Sequence, residues 1–385
     1  MLGVWVDPKM SWKEQVKQAA CKGNAAFEAL SRITASTWGP CMRKARLVYT
    51  AVVRPAMTYG IQAWGIGPDG KHARANVQQL EKVQNRCLRR VTGGYKRTPR
   101  AALGREAHVP PLDLYSDTVA MKRALAIRDH PVSSEIRRAA EAIWEAAGNL
   151  QQTSTRGRGR PRRVRRRPPT SMERVQQRAI EREDEMQGYN VWQADQRLRA
   201  GGRQGPGRRR RGAGPRGQQR RKPTTLIDDW ADLEWKKRWQ REARDREATT
   251  WRTPWEQSPL KLYSDLPKHQ ATALFLLRTE VIGLNAWLAS IRVPNVTPQC
   301  ECGWQAQTVR HVLLHCPKYR NERPGLLGQT GSEDLKEMLS RPKSARAAAR
   351  WLVKQGVLRQ FDTANQIEEE DTTDHNPFQP LEEIQ

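Results

Sequence analysis

The sequence predicts a mainly α-helical protein: a helix-rich domain fronted by a short N-terminal β-hairpin, a long disordered basic linker, and a second, small helical domain. Three observations carry this. Apolar residues recur at three- and four-residue spacings through much of residues 1–150 and again after Thr224. Between those stretches the composition turns abruptly to Gly, Pro, Gln and Arg. The hydrophobic fraction of the whole chain, 37%, lies below the roughly 45–50% of globular proteins. Part of the chain therefore has too little apolar surface to offset the entropy of ordering.

Taken in order, Leu2-Gly3-Val4-Trp5-Val6, then Asp7-Pro8-Lys9, then Met10-Ser11-Trp12 reads as two short strands about a turn. Ser11 can cap a helix running from near Trp12 to Ile33. Gly39-Pro40 starts a second helix, with proline suited to a first turn, and Pro55 breaks or kinks it before Ala56 to Ala63. Pro68-Asp69-Gly70 is a turn. Val77, Leu80, Val83, Cys87, Leu88 and Val91 fall on one helical stripe, with Arg86, Arg89 and Arg90 largely off it, which predicts a basic amphipathic helix. Gly93-Gly94 ends that helix. Leu112 to Ile127 and Ser133 to Ala147 complete a domain over 1–150.

The linker, 151–223, contains one charged, helix-prone stretch from Ser171 to Met186, expected to form a transient helix. From Thr224, Trp230, Leu233, Trp235 and Trp239 share a helix face, while Trp251 and Trp255 follow on a loop. Lys268 to Ile291 reads as a buried helix, with further helix at Glu333 to Leu339 and Ser344 to Val357. The second domain spans 224–362, and 363–385 is an acidic tail expected to be disordered.

Lys and Arg number 68 against 41 Asp and Glu, a net charge of +27. Such a field draws in polyanions, with nucleic acid the first partner to consider and a membrane surface the second. No run of about 20 apolar residues could span a bilayer, and the opening residues carry no secretory pattern, so the chain is expected to be neither membrane-bound nor secreted. Nucleophile elbows, glycine phosphate loops and His-Glu-x-x-His sites are absent from the sequence. That leaves no candidate catalytic residue and no small-molecule substrate.

Cys21, Cys41 and Cys87 are scattered in helical patterns and read as reduced core thiols, whereas Cys300, Cys302 and Cys316 cluster with His311 and His315. Thiolate and imidazole together suit zinc better than calcium or magnesium. Cys300, Cys302, His311 and Cys316 supply four ligands. Gly303 relaxes the tight turn that carries the first pair, and His311 projects from a short helix. On a continuing helix Cys316 would sit about 140° away from His311, but Pro317 disfavours helical geometry at the preceding residue and lets Cys316 swing back. His315, on the same helical face as His311, is an alternative fourth ligand. Four protein ligands leave no open position, so the zinc would be structural. Trp304 is a candidate for base stacking or for packing against the loop.

Within the linker, Arg158, Arg160, Arg162, Arg163, Arg165, Arg166 and Arg167 form one basic block, and Arg208, Arg209, Arg210 and Arg211 another. Arg158-Gly159-Arg160-Pro161 resembles the AT-hook core, which lies in narrow minor grooves. These blocks, with Arg86, Arg89 and Arg90, are expected to contact phosphates, giving binding that falls steeply with salt. A solubilising linker and a nuclear-import signal are the other readings of the blocks. Import would place the protein in the nucleus, otherwise the cytoplasm.

Two stretches resemble the non-LTR (LINE-type) retrotransposon reverse transcriptases. Leu2 to Asp7 with Met10-Ser11-Trp12 resembles the palm-to-thumb hairpin. Leu47 to Pro55, Tyr59-Gly60, Ala63-Trp64, Gln84 to Arg89, Thr98-Pro99 and Leu103 resemble the thumb and the segment after it. Leu277-Arg278-Thr279, Gly283-Leu284, Leu288 and Cys300 through Arg323 resemble the zinc knuckle near the end of these polyproteins. In that family, carboxylates upstream of the hairpin hold two catalytic metal ions, and the resemblance here begins at the hairpin. Asp228-Asp229 follows the thumb-like region and opens a helix, where acidic residues favour the dipole. A ribonuclease H domain, which many relatives carry between thumb and knuckle, has the arginine-rich linker in its place. The resemblance thus implies a chain without polymerase activity of its own that binds RNA or DNA, such as element RNA or target DNA. The alternatives are part of an RNA-directed DNA polymerase whose catalytic half is absent or acts in trans, an adaptor protein, and a decayed fragment.

Overall fold

A computed structural model describes residues 3–128, 130–146, 167–201, 222–364 and 366. The protein is mainly helical, and among the described residues β pairing is confined to one isolated bridge, Ile66 with His72. Among the described residues the expected N-terminal hairpin is not formed. The Asp7 carboxylate instead accepts hydrogen bonds from the backbone N–H groups of Lys9 (3.0 Å), Ser11 (3.0 Å) and Trp12 (2.8 Å). A side chain thus takes the donors that a strand ladder would use. Met10 and Trp12 adopt left-handed backbone (φ 49° and 60°), which breaks extended geometry.

Two compact units form, each from separate stretches of chain. The first comprises Met1–Gln15, Gly60–Gln78 and Leu112–Lys237; the second comprises Val16–Tyr59, Gln79–Pro111 and Arg238–Gln385. The stretches 1–150 and 224–362, set apart by composition, each contribute to both units.

In the first unit, helix Leu112–Ala126 packs against helices Ile61–Trp64 and Ser171–Gly201. The last of these is the stretch expected to be a transient helix within the linker. It runs beyond Met186 to Gly201 and is held by packing, with Val175, Ala179 and Met186 buried along one side. A reciprocal cap starts it: Thr170 Oγ1 accepts from Glu173 N–H (3.2 Å) and Glu173 Oε2 accepts from Thr170 N–H (2.7 Å). Asp117 ties the unit together, accepting from His72 N–H (2.9 Å) and Arg178 Nη2 (3.3 Å). Burial opposes ionisation of this carboxyl, but His72 and Arg178 outweigh it and hold Asp117 below the ordinary carboxylate range. Helix Pro131–Ala146, expected from Ser133 to Ala147, buries no residue. The remaining linker residues, 151–166 and 202–221, and the tail from 367 lie outside the described residues.

In the second unit every residue of helix Lys268–Thr279 is buried, including Leu274, Phe275, Leu276 and Leu277. It packs against helices Pro342–Lys354, Thr249–Arg252 and Leu335–Ser340. The helix expected as far as Ile291 stops at Thr279, because Glu280 turns left-handed (φ 56°), and a short helix Asn285–Ser290 follows. Helix Arg74–Thr92 buries Leu80, Val83, Cys87, Leu88 and Val91, as their spacing predicts. Gly93 closes it at φ 74°, and a Cβ there would lie 2.2 Å from Thr272 Oγ1, so only glycine fits. The buried Lys268 ammonium donates to the end carbonyls of that helix, Arg90 O (3.0 Å) and Val91 O. Trp239 and Trp251 stack at 4.4 Å, and Arg105 lies 4.4 Å over the Trp255 ring.

Candidate metal centre

Cys300, Cys302, His311 and Cys316 bring one donor atom each to within 4.8 Å of all the others. Local structure explains the convergence. Gly303, at φ 88°, lets its N–H reach Cys300 O (2.9 Å), while Cys300 N–H donates to Trp304 O (2.9 Å). The first two thiols thereby sit on one tight turn. Thr308 Oγ1 accepts from His311 N–H (3.1 Å) at the start of the helical turn His311–His315. Cys316 then leaves helical geometry, at φ −61° and ψ 121°, as Pro317 requires. The loop is pinned from outside by Asn285 Nδ2 donating to Gln299 O (2.7 Å) and by Arg323 Nε donating to Leu313 O (3.2 Å), with Arg323 Nη2 also reaching Cys316 O.

The donor geometry fits zinc. Bonds of about 2.3 Å to sulfur imply a tetrahedron with edges of about 3.8 Å, and Cys300 Sγ lies 3.8 Å from Cys316 Sγ. Cys302 Sγ is 3.2 Å from His311 Nε2. Burial, with the neighbouring Cys300 and Cys302, pushes the Cys316 thiol up to about 11. Burial, then the charges of His315 and Arg323, lowers the His311 pKa and favours the neutral imidazole that a metal needs. His311 Nδ1 is buried and has no hydrogen-bond partner among the described residues, so no outer partner orients the ring through that atom. The neighbouring Trp304 ring, 60% exposed, stacks on the imidazole at 5.7 Å and 5°. His315 is exposed and stands outside the group.

Four of the arginines expected to touch phosphate, Arg86, Arg89, Arg90 and Arg167, lie among the described residues. Arg86 donates to Asn24 Oδ1 (2.9 Å), pairs with Glu28 (3.3 Å) and covers the Phe27 ring. Arg89 donates to the carbonyls of Asn85 and Lys96, fastening the turn after its helix. Arg90 is half-buried beside them. Arg167 forms a two-pronged pair with Glu173 (2.7 and 2.9 Å). Arg158, Arg160, Arg162, Arg163, Arg165, Arg166 and Arg208 through Arg211 lie outside the described residues. Asp228 pairs with Lys122 at 2.5 Å. The supporting residues Thr308 and Arg323 did not emerge from ligand counting; the signal for Thr308 was its position three residues before His311, where a hydroxyl caps a helical turn.

Fold and site together define a helical, strongly basic chain carrying a Cys3His group able to hold a metal ion. No protein-family model matches the chain, and no solved structure matches it. Among curated proteins, 91 of its residues are 28% identical to the probable RNA-directed DNA polymerase from transposon BS of Drosophila melanogaster. The match covers 24% of this chain and 10% of that protein, so the chain spans about a tenth of the relative's length. This partial likeness supports an origin related to retrotransposon reverse transcriptases. Among the described residues no helix is long and apolar enough to cross a membrane.

Proposed function

We propose that the chain is a nucleic-acid-binding segment of non-LTR retrotransposon descent, in which a structural zinc held by Cys300, Cys302, His311 and Cys316 shapes a knuckle for single-stranded RNA or DNA. The observation that carries this reading is the convergence of those four donors next to an exposed aromatic ring, Trp304. Zinc would fix the loop and leave the outer face of Trp304 free for a base, a contact worth about 1–3 kcal/mol. The net charge of +27 supplies a non-specific attraction to phosphate. A second reading, that the segment serves within an RNA-directed DNA polymerase, rests on the relative's name and on its partial identity with this chain.

Filter binding of the full chain to single-stranded RNA, single-stranded DNA and duplex DNA across a salt series, with and without chelator, tests both readings when primer extension is run in parallel. The expected result is affinity that falls steeply with salt, a single-strand preference removed by chelator, and no extension. Trp304→Ala should weaken single-strand binding about 5- to 150-fold, the equivalent of the stacking energy above, while zinc content stays unchanged. Absence of binding at physiological salt would sink the binding reading, and extension would establish the second one.

A further inference from the structure

We propose that a cleft in the first unit is a second binding site, for the phosphodiester backbone of a nucleic-acid strand. The proposal rests on the binding reading above and adds to it a surface that the knuckle does not provide. The cleft has a volume of about 720 Å³ and is lined by Arg128, Arg137, Arg167, Arg174 and Arg178, together with Glu173. Five guanidinium groups reach one space from four places in the chain. Arg128 follows helix Leu112–Ala126, Arg137 lies on Pro131–Ala146, Arg167 precedes Ser171–Gly201, and Arg174 and Arg178 lie on that helix.

Their partners divide them into two classes. Arg167 is locked by its paired bonds to Glu173, and Arg178 by Asp117 and the Gly70 carbonyl, so these two form a fixed wall. Arg137 is 3.6 Å from the same Glu173, beyond hydrogen-bond reach. Arg174 has no side-chain hydrogen bond or ion pair among the described residues. Glu173 is already committed to Arg167 and to the cap at Thr170. Asp69, which also lines the cleft, accepts from the backbone N–H of Lys71 (3.1 Å). Arg137 and Arg174 therefore keep donors for an incoming anion. Arg128, 40% exposed and 3.6 Å from Glu183, adds a third positive charge that solvent and ligand can both reach.

A planar fork of donors matches phosphate oxygens in pairs, and its face stacks on bases. The cleft is open, so a strand longer than the cleft can enter and leave it. A linear polyanion fits such a cleft, because arginines brought together from four places in the chain can meet successive phosphates.

The test uses the full chain in three forms: wild type, R128Q/R137Q/R174Q, and the knuckle variant C300S/C302S. Each is titrated with a short labelled single-stranded oligonucleotide over a salt series, and separately with tripolyphosphate. The expected result is that the cleft variant binds the oligonucleotide about tenfold more weakly or worse. Its salt slope should be shallower by about 2, since three lost phosphate contacts at about 0.7 each remove that much. It should also lose tripolyphosphate binding, which the knuckle variant keeps. Unchanged oligonucleotide affinity and slope in the cleft variant would overturn the cleft while leaving the binding reading to stand on the knuckle. Failure of the wild type to bind oligonucleotide would overturn both, and tripolyphosphate binding lost only in the cleft variant would then identify a site for a smaller phosphate ligand. Should the triple variant lose helix content, Arg174→Glu, which breaks no side-chain hydrogen bond or ion pair among the described residues, carries the same comparison.

Discussion

Glu106→Gln in the full chain is expected to destabilise the second unit by about 3–5 kcal/mol, the cost of leaving one charge of a buried pair without its partner. Glu106 and Arg278 are fully buried, with 2.9 Å between Oε1 and Nη2. Arg278 Nε donates to both carboxylate oxygens (3.2 and 3.0 Å), Nη2 also donates to Thr253 Oγ1 (3.0 Å), and Nη1 donates to Leu339 O. Glu106 accepts in addition from the Tyr263 hydroxyl (2.5 Å) and from Thr250. Every strong donor and acceptor of the pair is thus committed to one geometry. Arg278→Met should cost a similar amount. The double variant E106L/R278M should lose less than the two single losses added together, because no lone charge remains. Urea unfolding followed by tryptophan fluorescence reads all three, and a loss under about 1 kcal/mol for E106Q would mean that water reaches the pair. The pH dependence has a definite sign. Burial alone would raise the Glu106 pKa, but the Arg278 charge and the hydrogen bonds outweigh it and hold the folded value below the ordinary 4.5. The pair's contribution is therefore complete above about pH 4.5, where the unfolded carboxyl is also ionised, and is lost as pH falls through the folded value. Wild-type stability should drop more steeply in acid than that of E106Q.

The buried helix that carries Arg278 was legible, but its pairing with Glu106 was not, for a physical reason. Glu106 and Arg278 are 172 residues apart, and periodicity reports only which face of a helix is apolar. The stripe from Val77 to Val91, the glycine stop at Gly93 and the ligand cluster were legible because each is decided within a few residues. Pro317 bending Cys316 out of the helix is the clearest case. The N-terminal hairpin fails where a side chain competes with the backbone: two short apolar segments about Asp7-Pro8-Lys9 argue for strands, and Asp7 takes the N–H donors of Lys9, Ser11 and Trp12. The helix Ser171–Gly201 was underestimated for the opposite reason. Its charged surface suggested a solvated linker, while the cap signal Thr170-x-x-Glu173 and the Val175–Ala179–Met186 stripe were already present. The spacing that predicts one class of phosphate contact does not tell apart Arg86, paired at the surface with Asn24 and Glu28, from Arg89 and Arg167, which hydrogen-bond to carbonyls and to Glu173. Periodicity gives a guanidinium's place on a helix and says nothing of the carboxylate opposite it.

The full chain is expected to hold one zinc ion, and Cys316→Ser to abolish that binding. The variant removes a buried thiol that lies 3.8 Å from Cys300 Sγ and leaves three donors where a structural site needs four. Binding of this kind supplies about 10–16 kcal/mol in isolated zinc-finger peptides at neutral pH. Here the loop is also pinned by Asn285 and Arg323 and lies in a unit with its own apolar helix, so loss of metal should open the loop while the buried helix Lys268–Thr279 stays folded. Hydrogen exchange of residues 298–323, with and without chelator, measures this directly, and loss of protection throughout the second unit would show that the metal holds more than its own loop. His311→Ala should release the ion, whereas His315→Ala, which alters an exposed side chain outside the group, should not. The reverse pattern would assign the fourth ligand to His315. Acid should release the ion as well, because protons compete with the metal for the thiolates, and burial with the neighbouring Cys300 and Cys302 holds the Cys316 thiol up at about 11 without metal. Retention at neutral pH therefore depends on the cation offsetting that penalty. Replacement by cobalt would report on it through thiolate charge-transfer absorption, which should fade as pH is lowered and be missing in Cys316→Ser.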